Sequence, residues 1–79
     1  MNVSVLFFGA TAEVAGVRSK RIELAGDSCG AALLDRVVSD HPALARHKLL
    51  FSVNQEYVSG DVALSDGDEV AIFTAVSGG

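Results

Sequence analysis

The one long helical repeat in this chain lies between Ser28 and Pro42, and the segments around it read as strand or turn. Leu33, Leu34, Val37 and Val38 recur at i, i+1, i+4 and i+5, with Asp35, Arg36, Ser39 and Asp40 opposite. A single amphipathic helix has one apolar stripe to bury, so the rest of the chain must supply the sheet that receives it. Gly26-Asp27-Ser28 marks the start, with Asp27 or Ser28 expected to accept the first free N–H groups. Pro42 drives His41 out of the α region and ends the helix. Ala43 to Lys48 has the makings of a short further turn.

The flanking segments carry the strand signals. Residues 2–8 (Asn2-Val3-Ser4-Val5-Leu6-Phe7-Phe8) are β-branched and aromatic, and apolar on both faces at the end, as in a central strand. Gly9 to Gly16 reads as a loop with one helical turn near Thr11–Val14. From Ser19 to Leu24 the chain alternates, Arg21 and Glu23 one way and Ile22 and Leu24 the other, so the first two strands form a hairpin. Leu49 to Val53 is a third strand, followed by a turn at Asn54-Gln55-Glu56 in which Asn54 best tolerates a left-handed backbone. Tyr57-Val58 is a short extended piece, and Asp66-Gly67-Asp68 is a tight turn feeding a last strand, Glu69 to Thr74. The order β-β-α-β-β gives an α+β fold: a mixed sheet packed on one main helix, with the last strand returning beside the first. That is a ubiquitin-like β-grasp, and right-handed crossovers leave few alternatives. The domain is expected over residues 1–73, followed by a flexible tail, 74–79.

Seventy-nine residues with 49% apolar content cannot hide all of their apolar surface, so an exposed patch suited to a partner is expected. Six basic and ten acidic residues give a net charge of −4 without a Lys/Arg cluster, which argues against nucleic acid. Asp61, Asp66, Asp68 and Glu69 make the C-terminal half acidic, and are expected to steer it to a basic partner groove or to serve as a solvated rim. The lone Cys29 excludes a disulfide framework and a cysteine-ligated cluster, and fits a reducing, cytoplasmic setting. His41 and His47 read as surface residues, and no metal site is expected. The apolar start lacks preceding Lys or Arg, so it is not read as a targeting signal, and no run approaches a membrane span.

The end of the chain carries the chemistry. From Thr74 onward no side chain exceeds Val76 in size, and the last residues are Ser77-Gly78-Gly79. Glycine lacks a Cβ, so such a segment threads a channel too narrow for other residues and presents an unhindered carboxylate. At ordinary glycine usage of about 7%, two in a row at one fixed place is roughly a one-in-two-hundred event. A carboxylate is a poor electrophile. It needs activation, most simply by adenylation, before passing to sulfur as a thiocarboxylate or to an amine as an amide. Six extended residues reach about 20 Å, enough to place the terminal carbonyl deep inside another protein.

Val5-Leu6-Phe7-Phe8, Val53-Asn54-Gln55, and Asp66-Gly67-Asp68-Glu69-Val70-Ala71 running on to Val76-Ser77-Gly78-Gly79 resemble the MoaD/ThiS sulfur carriers, the family of molybdopterin synthase small subunits. The resemblance implies that Gly79 is adenylated by an E1-like activating enzyme using ATP and becomes a thiocarboxylate, a sulfurtransferase supplying sulfur indirectly. It implies insertion of the tail into the synthase large subunit, within a heterotetramer. There sulfur passes to a cyclic pyranopterin precursor of the molybdenum cofactor. The chain would then be a non-catalytic donor subunit that binds no cofactor itself, the active site lying in the large subunit. Phe8, Tyr57 and Phe73 match the family's docking surface. Thr74, Ala75, Val76, Ser77 and Gly78 form the segment that enters the partner. Thr74-Ala75 stands where the family often has Pro-Pro, and the first loop lacks the family's basic residue. A thiamine-pathway sulfur carrier and a ubiquitin-like modifier joined to lysines are the alternative readings, and an interaction module with an incidental tail is a further one.

Overall fold

The computed structural model describes residues 1–74. Among these residues the order is β1 (Asn2–Phe7), α1 (Ala10–Ala15), β2 (Ser19–Glu23), α2 (Gly30–Asp40), a 3-10 helix (Pro42–Arg46), β3 (Leu49–Val53), β4 (Glu56–Tyr57) and β5 (Glu69–Thr74). The sheet order is β2-β1-β5-β3-β4. β1 and β5 run parallel, with Val5 opposite Val70 and Phe7 opposite Ile72, while the other pairs are antiparallel. This is the expected mixed β-grasp sheet with the last strand beside the first. The expected order counted the long strands, and the two-residue β4 and the helix α1 are added to it.

The core lies on one face. Val3, Val5 and Phe7 of β1, Phe51 and Val53 of β3, and Val70 and Ile72 of β5 alternate inward and meet Leu33 and Val37 of α2. Burying side chains of this size contributes about 1.5–3 kcal/mol each. The contact of α2 with the sheet is tight at Gly30, where a Cβ would lie 2.7 Å from the Phe51 ring.

Three local expectations are corrected. The N-cap of α2 is Cys29, in extended conformation, rather than Asp27 or Ser28, and its side chain makes no capping bond among the described residues. The first-turn donors are satisfied by tertiary partners instead: Gly30 N–H reaches the Val62 carbonyl at 2.9 Å and Ala31 N–H the Gly60 carbonyl at 2.8 Å. The loop after β1 holds a six-residue helix rather than one turn. The turn after Pro42 is a 3-10 helix that includes the proline at its start. The Asn54-Gln55 turn is left-handed at both residues (φ 50° and 71°), the geometry of a two-residue hairpin that follows the sheet twist. The Asn54 side chain ties it to β5, donating to Asp68 (3.0 Å) and accepting from the Glu69 N–H (3.0 Å).

Candidate functional site

Because β5 is flanked by β1 and β3, its last residue is well supported: Thr74 lies opposite Leu49, and Phe73 opposite Leu50. Thr74, expected to open the flexible inserted tail, is instead the last residue of β5, because Leu49 supplies it with a strand partner. Ala75, Val76, Ser77, Gly78 and Gly79, named above as the inserted segment and the reactive residue, lie outside the described residues.

The β1 and β5 ends are pinned by Thr11, which is fully buried on α1. Its hydroxyl oxygen sits 2.7 Å from the Phe8 carbonyl and 3.0 Å from the Ile72 carbonyl. One hydroxyl proton is thus shared between the Phe8 carbonyl, just past β1, and the Ile72 carbonyl within β5. Phe8 also donates its N–H to the Ile72 carbonyl at 3.0 Å. Sequence reasoning missed Thr11, because a lone Thr in a short loop gives no sign that a strand 61 residues later supplies its partner.

Side chains alternate, so the face of the sheet away from α2 receives Leu6 and Phe8 from this end of β1, Phe73 from β5 and Leu50 from β3. Tyr57 of β4, opposite Ser52, completes it. Tyr57 is 80% and Phe8 52% exposed, while Phe73 is half-buried. Tyr57 covers Phe73 edge-on, with ring centroids 5.7 Å apart and planes at 81°, a favoured aromatic geometry. The structure therefore brings Tyr57 and Phe73 into contact and sets Phe8 on the far side of β5, all on the face away from α2. Leu50, which is also exposed, was missed. The period-2 pattern of Leu49-Leu50-Phe51 carries the signal, since Leu50 must point away from buried Phe51. Beside Phe8 an open groove of about 870 Å³ runs between α1 and the start of β2, walled by Leu6, Phe8, Ala12 and Val17, with Glu13 and Arg18 at its sides.

The acidic residues of the C-terminal half take another position. Asp66 accepts from the Asn2 N–H (2.6 Å), Asp68 accepts from the Ser65 N–H (2.8 Å), and Glu69 opens β5. All three lie at the end of the sheet remote from Thr74, so they do not flank the tail. Asp66 and Asp68 hold turns together. His41 is also corrected: its ring is half-buried edge-on to Phe7 (6.2 Å, 81°), and Nε2 is buried without a partner among the described residues. His47 is exposed. No group of three metal-ligating side chains occurs among the described residues. No helix of the described residues is long and apolar enough to cross a membrane.

A model of the ThiS family matches residues 5–79. The chain is 42% identical to the molybdopterin synthase sulfur carrier subunit of Chlamydomonas reinhardtii, over 100% of both chains. It is 37% identical to small archaeal modifier protein 1 of Haloferax volcanii, covering 91% of this chain and 94% of that one. The crystal structure of SAMP1 from that organism superposes with a TM-score of 0.88 over 100% of both chains, at 34% identity.

Proposed function

This chain belongs to the ThiS family, and from that premise we propose that it is a sulfur carrier, the small subunit of a molybdopterin synthase. The observation that carries the reading is the joining of an exposed aromatic face to the end of β5, from which the chain runs into Val76-Ser77-Gly78-Gly79. The name of the algal relative, similar over the whole length, supports the same role.

In this reading the globular body docks and the tail reacts. A Gly79 carboxylate oxygen attacks the α-phosphorus of ATP in an E1-like activating enzyme, expelling pyrophosphate and leaving an acyl-adenylate. Sulfide-level sulfur from a sulfurtransferase then attacks the acyl carbon, AMP departs, and the terminus becomes a thiocarboxylate. The loaded tail enters the large subunit, where the active site and the pyranopterin precursor meet it. The carrier contributes no acid or base. It supplies reach, a slim cross-section and a docking face made of Phe8, Tyr57 and Phe73. Thr74 is already held in β5 opposite Leu49; without a proline at Ala75, fixing the residues that follow on docking costs roughly 1–2 kcal/mol each in backbone entropy.

The test is length at the terminus. Deleting Gly79, or adding one residue after it, should abolish sulfur transfer in a reconstituted synthase while leaving the fold unchanged by circular dichroism. Transfer that survives either change refutes the reading. A second reading, a modifier conjugated to lysines, is favoured by the similarity to the archaeal modifier protein. Intact mass of the cell-made protein separates them: sulfur in place of oxygen at the terminus marks carriage, and higher-mass lysine adducts mark conjugation.

A further inference from the structure

The charges of this chain are sorted along the strands. At the end remote from Thr74 stand Glu23 opposite Asn2, Glu56 opposite Val53, and Asp66, Asp68 and Glu69 around the turn into β5. Asp27 lies in the loop after β2 at the same end, where the neighbouring Ser28 carbonyl accepts the Leu64 N–H. Six of the ten acids therefore gather there. At the Thr74 end the pattern reverses. Lys48 directly precedes Leu49, the partner of Thr74, and Arg46 and His47 precede it in turn. Arg18 is on the other flank, its carbonyl accepting the Phe7 N–H at 2.8 Å. Arg18, Arg46 and Lys48 are exposed and have no ion-pair partner among the described residues, whereas Lys20 and Arg36 both engage Asp40. Two acids stand on this side: Glu13, in the groove with Arg18, and Asp40, which precedes the His41 ring on Phe7 and is already engaged by Lys20 and Arg36.

Distance decides what a partner senses. The six residues of β1 separate the two ends by about 20 Å, more than twice the Debye length of about 8 Å at physiological ionic strength. A protein meeting the Thr74 end responds to the nearby cations rather than to the net charge of −4. These cations also border the apolar face, Lys48 beside Leu49-Leu50 and Arg18 in the groove with Phe8 and Val17. An apolar centre with a charged rim is the usual anatomy of a protein interface.

We propose that Arg18, Arg46 and Lys48 form a cationic collar around the exit of the tail, and that it addresses an acidic rim at the mouth of the activating enzyme's tail-accepting channel. The proposal rests on the carrier reading, in which one chain must visit an activator and then an acceptor. Such successive encounters are served by steering that raises the association rate. It assigns the steering to the opposite charge from that of the acidic C-terminal turns.

Stopped-flow association of the full chain with its adenylating enzyme, without ATP or sulfur donor, tests this. Arg46→Glu with Lys48→Glu should slow association roughly tenfold at low salt, and Arg46→Gln with Lys48→Gln by a smaller factor. Both differences should collapse in 1 M salt, where the Debye length is about 3 Å. Glu23→Lys with Glu56→Lys, at the remote end, should change the rate less than about twofold. Association that is unchanged or faster in both collar variants overturns the proposal, and the glutamine pair decides it should the glutamate pair misfold. Mass analysis of the wild type with ATP and sulfur donor runs beside it. Sulfur gain with charge-indifferent association sinks the collar alone. Charge-dependent association without sulfur gain sinks the carrier reading alone, and no association at all sinks both.

Discussion

Thr11 and Gly30 show how single residues set the site. The Thr11 hydroxyl is the side-chain link among the described residues between the α1 segment and the carbonyls of Phe8, just past β1, and Ile72 of β5. Thr11→Val keeps the shape and removes the donor, and should cost about 1–3 kcal/mol in urea unfolding. Gly30 has no room for a methyl group, since its Cβ would meet Phe51 at 2.7 Å. Gly30→Ala should destabilise by roughly 1–3 kcal/mol through displacement of that ring, read as a lower thermal midpoint. Neither residue was recognisable beforehand. Each owes its role to a partner distant in sequence, and only a structure joins them.

At the scale of elements, the long periodic segments were legible and the short ones were not. The third and last strands have the bounds that the residue pattern predicted, and the helix repeat of Leu33, Leu34, Val37 and Val38 does face inward at Leu33 and Val37. The start of α2 was misjudged because its N–H groups bond to carbonyls 60 and 62 instead of to a local side chain. α1 is too short to display a helical repeat, and β4 is shifted by one residue from the expected Tyr57-Val58. The acidic turns were legible as turns, but their side of the molecule was not, since nearness in sequence to the tail is no guide to which end of a strand a residue occupies. The β3–β4 turn offers a prediction at this scale. Gln55 holds φ 71° without the conformational freedom of glycine. Gln55→Gly should therefore stabilise the fold by about 1 kcal/mol, seen as a raised midpoint with an unchanged denaturant slope.

For the molecule as a whole, the apolar face and the tail act as separable parts. Phe73 is half-buried under Tyr57 on the face opposite the helix, so a charge there is exposed to solvent more than to the core. Phe73→Asp should weaken binding to the large subunit by about 2 kcal/mol or more, measured by calorimetry. Far-UV circular dichroism should be unchanged, and an unfolded variant would place Phe73 in the core instead. The central claim concerns the terminus, not the face. Its most direct test is the intact mass of the purified chain after incubation with ATP, an adenylating enzyme and a sulfur donor. The account predicts that one oxygen of Gly79 is replaced by one sulfur, localised to the C-terminal peptide and absent when ATP is withheld. An unaltered terminus under conditions in which a known carrier is loaded by its own enzyme would contradict it.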